Sequence, residues 1–173
     1  MKKLLISMPA LLLLAACGSA PDDTTAAPSP SAVPSATPSV PAFTDVSRGD
    51  TDSIVKLLRF TPGNGQAVVV EPVIFLTNPE FCETFHIPAD DKRCLSAWNT
   101  ADSEAKITLP CADAAVFALV DQSDPGTCMD DRGAGSCETS ATDFADRLGD
   151  GTPLIRLTTE NGVAVRLAEL YVP

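Results

Sequence analysis

The sequence predicts a mainly β domain, a β-rich α+β fold built as a small, barrel-like single sheet. Two observations carry that prediction. A hairpin pattern around Asn-Gly occurs twice, as LLRFTPGNGQAVVV over 57–70 and LIRLTTENGVAVRL over 154–167. Between these copies, short apolar and β-branched runs alternate with turn-rich stretches, the signature of short strands.

The two hairpin segments align without gaps. They share Leu57/Leu154, Arg59/Arg156, Thr61/Thr158, Asn64/Asn161, Gly65/Gly162, Ala67/Ala164 and Val68/Val165. Asn-Gly supplies the positive φ angles that tight hairpin turns require. Shared turn chemistry and duplication of one unit both account for the match. The first hairpin is expected over 53–60 and 66–76, with Asp52 or Ser53 as an alternative cap for a short helix ending near Phe60. The last is expected over 153–159 and 163–172. Pro79 to Phe85 reads as one or two helical turns. Ala105–Leu109 and Ala115–Val120 read as short strands, and 121–137 as a long polar loop. Residues 140–148, SATDFADRL, read as a helix. Ser140 can cap it, Phe144 and Leu148 fall on one face, and Gly149 ends it. A helix placed between the middle strands and the last two is also found in the oligonucleotide/oligosaccharide-binding (OB) barrel, which makes the domain OB-like by analogy.

Ahead of the domain stands MKKLLISMPALLLLAAC. Lys2 and Lys3 form a positive start and Leu4–Ala16 an apolar run of signal-peptide length. A spanning helix needs about 20 apolar residues. Leu14-Ala15-Ala16 before Cys17 resembles the lipobox of bacterial lipoproteins. The resemblance implies cleavage after Ala16, diacylglyceryl attachment to the Cys17 thiol and partnership with a membrane. Each buried lipid methylene contributes about 0.8 kcal/mol, and two chains hold stably. The expected location is the extracytoplasmic face of the cell membrane in a monoderm, or the outer membrane in a diderm.

Residues 17–45 are expected to be the lipidated cysteine and a disordered tether. Its Ala, Ser and Thr cannot bury enough apolar surface to order the chain. Its prolines, at 21, 28, 30, 34, 38 and 41, favour extended polyproline II, with a reach of at most about 75 Å. The folded domain is then expected over 46–173.

The formal net charge is −11, and loss of Lys2 and Lys3 makes it two units more negative. Such a surface repels nucleic-acid phosphates. Of the six cysteines, five follow Cys17, and an oxidising compartment favours disulfides. Cys82 and Cys94 bracket one loop-like segment, Cys128 and Cys137 a Gly-rich turn. Local pairing of each is the simplest reading, which leaves Cys111 unpaired, either as a small buried residue, as a reactive thiol or as one end of an intermolecular bridge. None of the spacings matches a zinc pair.

The domain also resembles a group of exported actinobacterial proteins. The residues that carry the likeness are Phe75-Leu76-Thr77, Trp98-Asn99, Thr108-Leu109-Pro110, the Phe-bearing helix and Glu169-Leu170-Tyr171-x-Pro173. It spans about residues 66–173, and it assigns no activity to any residue.

Little material for catalysis is present. The single histidine, His86, lies between Phe85 and Ile87, and a Ser-His-Asp arrangement would need it. Gly-x-Ser-x-Gly, His-Glu-x-x-His and the P-loop are absent from the sequence. A carboxylate pair drawn from Glu71, Glu80, Glu83, Asp90, Asp91 and Glu169 is the alternative route to a hydrolase. Asp121, Asp124, Asp130 and Asp131 crowd one loop, where a calcium ion would want several oxygens. Asp121, Ser123 and Gly126 match the start of an EF-hand loop, but its twelfth position holds Arg132. No metal site or cofactor is expected from this pattern. The sole tryptophan, Trp98, is a core filler or, with His86, a binding residue. The sequence-level conclusion is a membrane-anchored, non-enzymatic binding or interaction domain of the cell envelope, with an envelope protein or a glycan as ligand. A hydrolase or a calcium-ordered structural lipoprotein stands as the alternative.

Overall fold

Among the described residues seven strands form one sheet, and five of them close into a ring. The computed structural model describes residues 40–149 and 151–172, so the expected signal segment, Cys17 and most of the expected tether lie outside the described residues. The strands are β1 (Thr51–Thr61), β2 (Ala67–Thr77), β3 (Trp98–Asp102), β4 (Ile107–Leu119), β5 (Cys137–Thr139), β6 (Leu154–Glu160) and β7 (Val163–Glu169). Two helices join them, α1 (Glu80–Thr84) and α2 (Ala141–Leu148), with 3-10 turns at Lys92–Leu95 and Pro125–Thr127.

The sheet order is β3-β2-β1-β6-β7-β4-β5, and an added β2–β4 pairing closes β2-β1-β6-β7-β4 into the ring. All ring pairs are antiparallel except β4 with β7. That connectivity, with α2 between β4 and β6, is the OB-like arrangement the sequence suggested.

Alternation explains the closure. Val55 and Leu57 of β1, Val68 and Val70 of β2, Leu109 and Phe117 of β4, Ile155 and Leu157 of β6, and Ala164 and Leu167 of β7 all turn inward and are buried. Period-two burial is what one core-facing side of a strand requires. One end is plugged by α2. Ser140 accepts the Asp143 N–H at 3.0 Å as the N-cap, and Phe144 is fully buried. Its ring packs within 5.4 Å of Phe117 and edge-on to Phe60 at 5.9 Å. Aromatic pairs at such spacings add about 1 kcal/mol each beyond burial.

The structure corrects several expectations. The segment 53–60 is strand as the hairpin reading expected, and only its alternative, a short helix before Phe60, falls away. The two short strands around Leu109 and Val116 are one continuous β4, whose pairing with β7 shifts between Cys111 and Val116. A β-bulge at that shift takes up the Asp113-Ala114 step within the strand. The loop 121–137 is tied down as well as polar. Ala134 and Gly135 are buried, Ala134 bridges to Leu170, and Arg166 donates to the Gly135 carbonyl at 2.8 Å. The final strand stops at Glu169, short of 172.

The two Asn-Gly turns also differ. Asn161 and Gly162 have φ +50° and +78°, the two-residue turn that suits strand twist. In the first hairpin the positive angles fall on Gly63 and Gly65, within a longer loop over 62–66.

Candidate functional site

Outside the ring, the C-terminal half of β2 runs on beyond β1 and pairs with β3, from Val73↔Asp102 to Thr77↔Trp98. Residues 78–97 connect them through α1 and the Lys92–Leu95 turn. This β2–β3 extension is a small lobe on the barrel, stapled by a Cys82–Cys94 disulfide with a Cα separation of 5.9 Å. Phe81 and Cys82 of α1 are buried beneath it.

On this lobe lies a concavity of about 530 Å³ lined by Phe81, Phe85, His86, Ile87, Pro88, Arg93, Asn99, Thr100 and Ala101. Among its lining side chains the Phe81 and Phe85 rings lie 4.8 Å apart, while most of its exposed surface is polar. Its rim is polar and held in place. Asp91 accepts the Arg93 backbone N–H at 2.9 Å, Nε at 3.0 Å and Nη2 at 2.8 Å. Those hydrogen bonds from Arg93 hold the Asp91 carboxyl at about 2, well below its usual range. The Arg93 carbonyl accepts from Asn99 Nδ2 at 2.7 Å and from Asn78 Nδ2 at 2.8 Å. His86 has a φ of +52°, the left-handed region where a non-glycine residue is uncommon and often marks a function.

The binding residues read from the sequence are thereby separated. His86 lines the concavity and Trp98 does not. Trp98 lies outside that lining, half-buried and stacked on Phe75 at 5.5 Å in an outer apolar cluster with Val73, Leu154 and Leu170. It is neither a filler of the barrel core nor a partner of His86. Sequence reading also passed over Phe85, Arg93 and Asn99. The signal available for them was the cysteine-bracketed loop itself, whose closure brings Arg93 against Asn99.

Elsewhere the chemistry-bearing residues serve the fold. Cys128 pairs with Cys137 across a Cα separation of 5.0 Å. Cys111 is a buried free thiol, and burial pushes it up to about 11. Glu169 is buried and accepts the Val120 N–H at 3.0 Å and Gln122 Nε2 at 2.9 Å. Its position staples the loop start to β7. In the acidic loop, Asp121 accepts from Ser123 N–H and Oγ at 2.8 and 2.7 Å, which lowers its pKa. Asp130 accepts the Arg132 and Ala134 N–H groups. Among the described residues no three His, Cys, Asp or Glu side chains converge as metal ligands would.

OB-like barrels commonly bind ligands on the face of their second and third strands, between the first and last hairpin loops. Here the last hairpin turn is strapped from the N-terminal side. Gly162 N–H donates to the Gly49 carbonyl and Asn161 N–H to Asp50 Oδ1, both at 2.9 Å. No family model, curated protein or solved structure matches this chain.

Proposed function

We propose that this protein is a lipid-anchored, extracytoplasmic binding domain, held to the membrane through Cys17 and presenting the concavity between α1 and β3 to an envelope ligand. The observation that carries the reading is that concavity, where the apolar side chains of Phe81, Phe85 and Ile87 meet the polar groups of His86, Arg93, Asn99 and Thr100, with Arg93 and Asn99 fixed by hydrogen bonds. A concavity that combines apolar side chains with a few fixed polar groups is a common form of ligand site. The disulfides support an oxidising compartment, and the lipobox-like Leu14-Ala15-Ala16-Cys17 supports the anchor.

Two measurements test it. Cys17→Ala is expected to move the protein from the membrane to the soluble fraction, and retention in the membrane rejects the anchor. A photo-crosslinking residue at His86 is expected to capture a defined envelope component in living cells. The same residue at Glu138, on β5, is expected to capture none. Equal products from both positions reject the concavity as the seat.

A further inference from the structure

We propose that β3 is a strand-addition site, whose free edge pairs with an extended, Lys- or Arg-bearing segment of another protein. An apolar side chain of that segment enters the concavity beside it. The proposal rests on the reading of the domain as a binding module.

The ladder shows which backbone groups are free. Asn78 N–H donates to the Ala97 carbonyl at 3.0 Å, and Ser103 N–H to the Pro72 carbonyl at 3.2 Å. In an antiparallel pair alternate residues turn their N–H and C=O toward the neighbour. With the register Leu76↔Asn99 and Ile74↔Ala101, residues 97, 99, 101 and 103 face β2. Trp98, Thr100 and Asp102 then aim their backbone groups outward. Among the described residues β3 is the last strand on that side of the sheet.

The concavity opens onto this same edge. Asn99, Thr100 and Ala101 all line it. Successive side chains of a strand point to opposite faces, and a lining that takes in three consecutive residues is what a concavity meeting the strand at its edge would show. A segment laid along β3 gains main-chain hydrogen bonds from the edge and side-chain selection from Phe85 and Ile87 in the concavity, the two components of recognition by strand addition.

Charge selects the occupant. The chain carries −11, which opposes pairing with a second copy and attracts basic segments. The chain's own tether holds Asp22, Asp23 and Asp45 and no Lys or Arg between 17 and 45. A foreign segment alternating basic and apolar residues satisfies the edge, the concavity and the field together.

The probes are short synthetic peptides titrated into the full mature chain and followed by amide NMR. One alternates Lys and Val, one Glu and Val, and one is the Lys-Val peptide with N-methyl groups on the amides that would face β3. The Lys-Val peptide is expected to perturb Trp98 to Asp102 and to protect the Thr100 amide from exchange. The N-methylated form is expected to bind at least about tenfold more weakly. Thr100→Pro removes the central outward donor, a change an edge strand tolerates, and is expected to abolish binding with the melting temperature kept. If that variant fails to fold, the N-methyl comparison decides alone. Equal binding of the N-methylated peptide, equal binding of the Glu-Val peptide, perturbations away from β3, or self-association through β3 overturns the proposal. Crosslinking at His86 that succeeds while every peptide fails rejects strand addition and keeps the binding module, whereas failure of both rejects both.

Discussion

Asp52 joins three elements through one carboxylate. It accepts Arg156 Nε at 2.7 Å and Nη2 at 3.1 Å, and Arg132 Nη1 at 2.9 Å. Burial alone raises its pKa, but the two guanidinium groups more than offset that, and the net shift is downward. A carboxyl with a lowered folded pKa stabilises the fold above its unfolded pKa, and the contribution is lost as pH falls through the folded value. Asp52→Asn is therefore expected to lower stability by up to about 1 kcal/mol at neutral pH. The difference from the parent should shrink as pH falls below about 4, where the unfolded Asp52 begins to protonate. Urea denaturation across pH checks this, and a gap that widens on acidification contradicts it. Cys111 gives a second residue-scale test. A thiol buried in β4 with its pKa pushed up to about 11 holds almost no thiolate at neutral pH, and the thiolate is the nucleophile. In a Cys17→Ser chain, iodoacetamide is expected to label nothing in the native protein and Cys111 alone in denaturant. Native labelling would show that the thiol is accessible.

At the scale of elements, what was legible depended on how local the cause was. Ser140, Phe144, Leu148 and Gly149 announce α2 because caps and i, i+4 faces are written within one turn. The outer hairpins were visible because alternation and turn residues lie side by side. β3 was not, since Trp98-Asn99-Thr100-Ala101-Asp102 is largely polar and lacks alternation. It is a strand because β2 extends past the barrel and offers it an edge. β5, three residues long, is likewise imposed by β4 and the Cys128–Cys137 bridge. Of the site, His86 was legible as a lone histidine, whereas Arg93 and Asn99 acquire a role only once the loop closes. The last hairpin turn allows a test at this scale. A Cβ on Gly162 would overlap the Ser47 carbonyl oxygen and lie 3.0 Å from its carbon, at a φ of +78°. One on Gly65 meets open space at φ +69°. Gly65→Ala is expected to cost about 1 kcal/mol from backbone strain alone, and Gly162→Ala distinctly more, because the strap must also shift. Equal losses in thermal or urea melts would show that the strap is not fixed.

Over the whole molecule, stability is divided between a closed barrel and an appended lobe. The ring shares one continuous core running from Val46 through Leu109, Ile155 and Leu167 to Phe144. The lobe over 78–106 fully buries little beyond Phe81 and Cys82, and it is held by the β2–β3 pairing, the Cys82–Cys94 staple, the half-buried Trp98 against Phe75 and the Lys56–Asp102 ion pair. Regions with few buried apolar contacts open at lower free energy than the global transition. Amides of α1 and β3 are thus expected to exchange through a local opening, while those of β1, β6 and β7 exchange only near global unfolding. The disulfide closes a loop with a sequence separation of 12, for which lost chain entropy is worth roughly 3 kcal/mol. Replacing Cys82 and Cys94 by Ser together should therefore strip most protection from α1 and β3 and leave the barrel amides nearly unchanged. Mass-spectrometric hydrogen exchange on both chains reads this directly. Loss of protection spread evenly over barrel and lobe would show a single cooperative unit. A lobe that opens alone can order around an incoming strand without loosening the barrel that carries it.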